Sequence, residues 1–284
     1  MLWEELATAS RFLLYVCTAI CIGALFCCWL ASRHRLSPAL SRPLLALVYS
    51  LGALSVVSSY LLLVGSIAMA GVSGMFDWEL LHFLLPDAAG KTMLIQLPAF
   101  VLLGLSLLLS SQSWLRWVLQ LTAILLLLYG FTLSGHLLRF GLPGQLLLLL
   151  HLLCVGLWVG SLPALWQLCR QHSANQLYPL MQHFGRVMLV VLPALLLSGI
   201  GMLLFLFTDL AALWQSNYGR WLLGKLVLVS LLIALGALNK LKLVPALQQQ
   251  KQTALKHAIA LEMGFAVSIL SITAILTHFI GWSS

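Results

Sequence analysis

Several long apolar runs carry a histidine near the same end, where imidazoles could bind a metal. His136 closes the fourth run, His151 lies seven residues into the fifth, and His278 is close to the end of the last. At about 1.5 Å per residue, His151 is expected about 10 Å below its helix end. A short turn makes the fourth and fifth helices neighbours. Three imidazoles at a similar depth could bind copper or a haem iron, or could be three separate hydrogen-bonded histidines.

Soft donors lie near these histidines. Cys154 follows His151 by three positions and shares its helix face, which Trp158 continues one turn further along. Imidazole and thiol together suit Cu(I), although a buried Cys is often only a small apolar residue. In the loop before the third run, His82 and Met75 could receive the metal. Thiols of the first run could form a path for Cu(I), or could pack as small residues at a helix contact: Cys17, Cys21, Cys27 and Cys28.

Two charged residues stand well inside apolar runs, where a charge is costly and therefore points to function. Glu262 lies in the last run and could bind a cation, relay protons or pair with a lysine. Lys225 lies in the seventh run, and its long side chain could extend to the surface. Its ammonium group would also suit an anionic partner, such as a haem propionate or Asp209.

The sequence contains no motif for nucleotide binding or hydrolysis. There is no nucleotide-binding loop, so this chain alone is not an ATP-driven pump, and the Gly-x-Ser-x-Gly and His-Glu-x-x-His motifs of hydrolases are absent. The protein is therefore not predicted to be an enzyme. The net charge of +8 comes from single basic residues between apolar runs, which argues against nucleic acid. The six cysteines lie in or beside apolar runs, so no disulfide framework is expected.

The elements that must position these residues are membrane-spanning helices. Of the 284 residues, 62% are hydrophobic and 8% are charged, whereas soluble domains carry about 25% charged residues. The mean hydropathy is +1.04. We predict an all-α helix bundle in a lipid bilayer, with residues 1–284 forming one transmembrane domain. The eight expected spans are about 10–31, 44–68, 92–109, 114–133, 145–166, 185–207, 221–243 and 258–280.

The distribution of Lys and Arg predicts the orientation, because cytoplasmic loops carry an excess of positive charge. With both termini on the non-cytoplasmic side, ten of the 15 basic residues fall inside and five outside. Six of the seven acidic residues then fall outside, and only Glu262 falls within a span. The termini are therefore predicted to be periplasmic. Under this orientation His82, His136, His151 and His278 lie on the outer side.

Between residues 130 and 280 a series of short motifs runs in a fixed order. The most specific is the stretch from Tyr218 to Lys225, which reads Tyr-Gly-Arg-Trp-Leu-Leu-Gly-Lys. The motifs are Ser134-Gly135-His136, Leu150-His151-Leu152-Leu153, Leu157-Trp158-Val159-Gly160-Ser161-Leu162, Phe184-Gly185-Arg186, Leu197-Ser198-Gly199, the Tyr218–Lys225 stretch, Leu238-Asn239-Lys240, Pro245 and Glu262.

In these motifs the sequence resembles the bacterial copper resistance protein D family, also called CopD or PcoD, whose eight spans fit the count above. The resemblance implies copper uptake across the bacterial inner membrane, beside a separate periplasmic copper-binding protein of the CopC type. It carries to His136 and His151 as copper ligands, whereas Cys154, His278 and His82 rest on their chemistry alone. Asn239 and Tyr218 join Glu262 and Lys225 as polar residues of the pathway or of the structure.

A membrane cytochrome remains the alternative. Two histidines on facing helices could hold a b-type haem for electron transfer or metal reduction. On the inner side a second haem could use His34, His183 and His257. The sequence leaves open the oxidation state of copper, the energy source and the oligomeric state.

Overall fold

The computed structural model describes residues 2–110, 113–135, 139–206, 212–250 and 252–279, with side chains for all of these except residues 2, 212, 213, 278 and 279. The chain divides into two compact units, each assembled from separate stretches. Unit 1 comprises Met1–Thr18, Arg42–Leu149 and Thr273–Ser284, and unit 2 comprises Ala19–Ser41 and Leu150–Ile272.

Within the described residues every regular element is helical, and eight helical stretches are long and apolar enough to cross a membrane. The all-α prediction with eight spans is thereby confirmed, whereas the periplasmic position of the termini stays a prediction. The helices are α1 (Leu2–Arg33), α2 (Arg42–Ala68), α3 (Trp78–Leu84), α4 (Ala88–Ser106), α5 (Trp114–Thr132), α6 (Gly141–Trp158), α7 (Leu162–Gln171), α8 (Ala174–Leu206), α9 (Ala212–Gln215), α10 (Asn217–Leu238), α11 (Val244–Ala246) and α12 (Gln252–Phe279).

In unit 1, α4 packs against α2 and α5 through large side chains that face glycines. A Cβ atom at Gly52 of α2 would lie 2.2 Å from Cε1 of Phe100, and one at Gly130 of α5 would lie 2.4 Å from Cγ of Gln96. Both α4 side chains are almost fully buried. Small residues at helix contacts let neighbouring backbones approach closely, which is how helices pack when lipid removes the usual hydrophobic drive.

The segment that carries His82 is fixed onto α2. The hydroxyl group of Tyr60 donates a hydrogen bond of 2.6 Å to the carbonyl oxygen of Leu81. Asp77 caps α3, since its Oδ1 accepts a hydrogen bond of 3.0 Å from the amide of Leu80. Leu84 packs into a small cluster with Tyr60. This connection is therefore an ordered helical turn on α2, where the sequence predicted only a loop.

Unit 2 is held together at a very close crossing of α1 with the end of α6. A Cβ atom at Gly160 would lie 1.8 Å from the carbonyl oxygen of Ala19, and one at Gly23 would lie 2.0 Å from the carbonyl carbon of Gly160. The backbones are thus in direct contact. The same approach brings the Cys27 thiol to 3.9 Å from the carbonyl oxygen of Ser161. Cys27 is fully buried, so its thiol is a hydrogen-bonded packing group.

Two spans are less regular than hydropathy predicts. A 3-10 turn at Val159–Ser161 interrupts the fifth span between α6 and α7. Pro163, in the first turn of α7, has no N–H and therefore favours a new helix start there. The seventh span continues from α10 into a π-helical turn at Asn239–Leu243. Another 3-10 turn, Gly71–Phe76, precedes α3, and Leu247–Gln249 follows α11.

Candidate functional site

The imidazole of His151 is anchored in unit 2 by the second half of α8. His151 Nδ1 lies 3.3 Å from the hydroxyl oxygen of Ser198. The next residue is Gly199, whose Cβ position would lie 3.4 Å from Cε1 of the ring. His151 is half-buried and Ser198 is buried. The imidazole therefore packs directly against α8, and the uncharged hydroxyl of Ser198 orients it.

The hydrogen bonds of Ser198 favour one tautomer of His151. The Ser198 hydroxyl donates to the carbonyl oxygen of Leu195 at 2.9 Å. A hydroxyl group has only one hydrogen, so with this bond in place Ser198 accepts at His151, which favours the tautomer with the proton on Nδ1. The Nε2 atom then has the free lone pair. Histidines that bind metals typically have this arrangement, with one nitrogen on the metal and the other donating to an oxygen.

Sulfur donors lie in the packed core beside this anchor. Cys154, Met188, Trp158 and Leu195 belong to one buried cluster of unit 2. The carbonyl oxygen of Leu195 also accepts the hydrogen bond of Ser198, the residue that contacts His151. The cluster therefore begins next to the hydrogen-bond partner of His151. Thiols and thioethers favour Cu(I). The cluster therefore provides two soft donors within an otherwise apolar interior.

A positive charge acts on the same imidazole. The ammonium group of Lys225, on α10, is close enough to His151 to interact with it electrostatically. Lys225 is half-buried. In the same helix Tyr218 is half-buried in the first turn, next to Gly219, whose amide donates to the capping hydroxyl of Ser216. Ser216 thus fixes the start of α10, and Lys225 lies two turns further along.

At the other end of the sulfur cluster lies a buried carboxyl group. Glu262 of α12 is 4% exposed, and it accepts a hydrogen bond from the side chain of Asn239 in the π-helical turn. Gly236 leaves room for it, since a Cβ atom there would lie 3.4 Å from Oε1 of Glu262 and 3.6 Å from Cζ2 of Trp158. Trp158 belongs to the cluster described above. The cluster thus extends from the support of His151 to Glu262.

Unit 1 contains a cavity of about 380 Å³ at the ends of its helices. Ser134 and Thr277 both line it. In the sequence His136 follows two residues after the first of these, and His278 follows directly after the second. The other lining residues are Trp3, Glu4, Ala7, Arg11, Leu14, Tyr15, Val56, Ser59, Tyr60, Leu62, Leu63, Ser66, Ala89, Thr92, Met93, Gln96 and Phe131.

The predicted convergence of three imidazoles stays a prediction. His136 lies outside the described residues, and the side chain of His278 is likewise outside them. His82 is exposed, with its ring edge-on to Trp78 at 4.4 Å between centroids. Among the residues that the structure describes, no group of three or more His, Cys, Asp or Glu side chains is arranged to hold a metal.

Two of the histidines that the sequence offered for a second haem contact each other directly. His34 Nε2 lies 3.3 Å from His183 Nδ1, and the rings meet at 78°. Two axial ligands would place their nitrogens roughly 4 Å apart, twice a metal–imidazole bond of about 2.0 Å. The two nitrogens therefore share a hydrogen bond in this structure. Ser37 and His172 form a similar contact of 3.0 Å nearby in sequence.

This histidine pair predicts a pH dependence. Desolvation, the facing His183 and the Arg186 guanidinium lower the pKa of His34 from its ordinary 6.5. The unfolded chain then binds the proton more readily than the folded one, so the free energy of unfolding falls as the pH drops below about 6.5. Thermal unfolding in detergent should show a larger loss on acidification for the wild type than for His34→Gln. Equal losses in both proteins would contradict this assignment.

The sequence did not indicate a role for two residues of the site. Ser198 stands in the Leu197-Ser198-Gly199 motif, yet its contact with His151 spans 47 positions and depends on which helices face each other. Met188 is one of eight methionines in an apolar chain. Motif residues do meet in pairs in unit 2, since the Cβ position of Gly185 lies 3.5 Å from the Lys240 side chain. The motifs therefore mark residues that lie near each other in unit 2, although no single motif showed which residues would meet.

The fold is that of a membrane protein with many spanning helices. Its packed interior contains an imidazole, a thiol and a thioether, which are donor groups for soft metal ions. The model of the copper resistance protein D-like N-terminal domain matches residues 1–139, and that of copper resistance protein D matches residues 178–276. The chain belongs to the copper resistance protein D family.

Curated relatives support this assignment. Copper resistance protein D of Pseudomonas syringae pv. tomato is 29% identical over 141 residues, which are 44% of this chain and 46% of that protein. The copper transport protein CutJ of Bacillus subtilis (strain 168) is 25% identical over 283 residues, which are 95% of this chain and 52% of CutJ. The chain thus spans about half the length of these relatives. No solved structure matches it.

Proposed function

We propose that the protein transports copper, as Cu(I), across the bacterial inner membrane into the cytoplasm. Family membership supports copper as the cargo, and CutJ is named a copper transport protein. The observation that carries the proposal is the orientation of His151. Its Nδ1–H is held by Ser198, which leaves the Nε2 lone pair for a metal ion. Copper here is the cargo of the protein and not a resident cofactor.

The surroundings of His151 suit a cargo that must leave again. Transport requires binding that is favourable enough for entry but weak enough for release. Lys225 acts on the imidazole with a positive charge, which opposes the binding of a second cation. Inward of the ring, Cys154 and Met188 provide alternative soft ligands. We therefore assign His151 as a transient ligand that passes Cu(I) towards the sulfur cluster.

Unit 1 has its own candidate groups for receiving copper. His82 is exposed on α3, where it can accept copper from solution, while Met75 packs against Gly65 of α2. The cavity of about 380 Å³ is the proposed receiving chamber. His136 follows the lining residue Ser134 by two positions and His278 directly follows Thr277, and both histidines are its proposed ligands.

The orientation and the partner are part of the same proposal. The excess of Lys and Arg on one side supports periplasmic termini and a receiving chamber that opens to the periplasm. A separate periplasmic protein of the CopC type would deliver copper there. In this proposal the protein acts as a permease and catalyses no chemical reaction.

A haem-binding cytochrome with oxidoreductase activity is the alternative. Lys225 beside His151 is the observation in its favour, since an ammonium group can bind a propionate. In unit 2, however, no second described imidazole lies at the level of His151. On α8, for example, His183 precedes Ser198 by fifteen residues, about 22 Å of helix. The copper reading therefore has more support.

Liposomes reconstituted with the purified protein test the proposal. With Cu(I) kept reduced outside and a Cu(I)-sensitive fluorophore enclosed, we expect time-dependent accumulation that protein-free liposomes do not show. The absorption spectrum of the same preparation provides the second readout. A Soret band without copper accumulation would replace the permease with the cytochrome, because a colourless protein is expected for bare copper transport.

A further inference from the structure

The buried carboxyl group of Glu262 has a partner whose hydrogen bonds are incomplete. Asn239 is 7% exposed, and its side chain donates a hydrogen bond to Glu262. The donor must be Nδ2, the only side-chain donor atom of Asn. The other polar atom of this amide, Oδ1, is buried and has no hydrogen-bond partner among the described residues. A buried acceptor without a donor is costly, and native structures rarely leave one.

The proton of a carboxylic acid would supply the missing donor. An ionised carboxylate only accepts hydrogen bonds, so it can satisfy Nδ2–H but not Oδ1 of Asn239. A protonated Glu262 does both: one oxygen accepts from Nδ2–H while the O–H group donates to Oδ1. The acid and the amide then form a reciprocal pair with two hydrogen bonds. In this pair the Oδ1 atom gains the donor that it lacks.

The surroundings agree with a neutral acid. Burial and the bond from Asn239 are the influences that act on the Glu262 carboxyl group, and no cation in the described part of the chain is among them. The facing groups are Gly236 of α10 and the indole of Trp158. Lys240, which directly follows Asn239 in the sequence, packs its side chain against Gly185 of α8. An unpaired carboxylate in a membrane span would be expensive here.

We propose that Glu262 and Asn239 form a proton-binding site that exchanges its proton for the transported copper ion. Deprotonation breaks the Glu262 O–H bond and frees a carboxylate, which takes up Cu(I) as the proton leaves. One positive charge replaces another, so the site is neutral before and after. The uptake of copper by Glu262 rests on the proposed function, which we call the copper half of the exchange. The binding of a proton by Glu262, the proton half, is argued from the hydrogen bonds alone.

The position of the pair connects it to the copper site. Trp158 lies beside Glu262 and in the cluster that holds Cys154 and Met188. Asn239 opens the π-helical turn, and such turns occur frequently at functional sites. A cation that passes from His151 through the sulfur donors would reach Glu262 next. Proton release from Glu262 would then accompany the inward step.

Infrared difference spectroscopy on the reconstituted, copper-free protein tests the proton half. We expect a carboxylic acid C=O band at neutral pH, shifted in D₂O and lost in Glu262→Gln. The glutamine side chain keeps both hydrogen bonds to Asn239, so this variant should fold. Asn239→Ala should keep the band but shift it, because its hydrogen bonds change. Glu79→Gln, at an exposed acid of α3, is the matched control and should leave the band unchanged.

Addition of Cu(I) tests the exchange. The band should decrease, and one proton should appear in a pH-indicator assay for each Cu(I) that displaces it. A wild-type spectrum without the band, or a band that persists in Glu262→Gln, would overturn the proton site. If a chelator competition shows that Cu(I) binds while the band is unchanged, the exchange is wrong. If Cu(I) does not bind at all but the band is present, the proton site stands and the copper function fails.

Discussion

Replacing His151 with alanine is expected to cause the largest loss of Cu(I) binding of any single substitution in unit 2. Loss of the partner behind a metal-binding histidine typically lowers metal affinity roughly 10–100-fold, and loss of the ligand itself should cost more. We therefore expect His151→Ala to weaken binding by more than about 100-fold and Ser198→Ala by about 10–100-fold. Anaerobic competition with a colorimetric Cu(I) chelator measures both effects in the purified protein.

The order of these two effects is as informative as their size. Ser198→Ala removes the acceptor of Nδ1–H and lets the imidazole turn or change its tautomer, but it leaves the ligand in place. His257→Ala is the matched control, because His257 is an exposed histidine near the start of α12. It should bind Cu(I) as the wild type does. Wild-type affinity in His151→Ala would refute the assignment of this residue as a ligand.

Gly160→Ala is expected to be the most destabilising small substitution in the chain. The added Cβ atom would lie 1.8 Å from the carbonyl oxygen of Ala19, and neither backbone can move without breaking the crossing of α1 with the end of α6. Overpacking in a core typically lowers the free energy of unfolding by about 1–3 kcal/mol. A clash with rigid backbone is expected to lower it by an amount at or above the upper end of this range. We expect little folded protein, measured as the monodisperse fraction by size-exclusion chromatography in detergent after a heat step.

Glycines without close neighbours provide the control for this effect. Among the residues that the structure describes, no atom outside the local helix lies within 4 Å of a Cβ position at Gly264 or Gly224. Alanine at either position should be neutral or slightly stabilising, because alanine favours a helix interior by about 1 kcal/mol over glycine. Gly23→Ala should resemble Gly160→Ala, since its Cβ atom meets the same backbone from the other side. A stable Gly160→Ala protein would show that the crossing is looser than described.

The eight spans could be predicted from the sequence because a bilayer requires about 20 apolar residues for each crossing. His151 could also be singled out, since an imidazole far inside an apolar run needs a partner. The identity of that partner could not be predicted. Lipid-exposed helices are apolar on nearly every side, so periodicity does not show which face meets which neighbour. Ser198 and Met188 therefore became visible only once α6 and α8 were placed side by side.

Local breaks in the helices were missed for a different reason. The 3-10 turn at Val159–Ser161 follows from the contact of Gly160 with α1, which is remote in sequence. Pro163 was a visible signal, but a proline within the first turn of a helix is also compatible with an unbroken span. The π-helical turn has no proline or glycine within it. Its place is set by tertiary contacts, such as the bond of Asn239 to Glu262.

The π-helical turn marks a position where the seventh span can lose a residue without changing which neighbours its two flanks face. The amide of Val244 donates to the carbonyl oxygen of Asn239 five positions earlier, so the turn holds one residue more than an α-helical turn would. Deleting a single residue between positions 240 and 243 would let the same amide donate across four positions, as in an α-helix, and both flanks would keep their phase. The same deletion within α10 has no extra residue to absorb it and would rotate one flank against the other by about 100°. Asn239 would therefore keep its place beside Glu262 in the first variant, whereas the second would turn the two halves of the span away from each other's present neighbours.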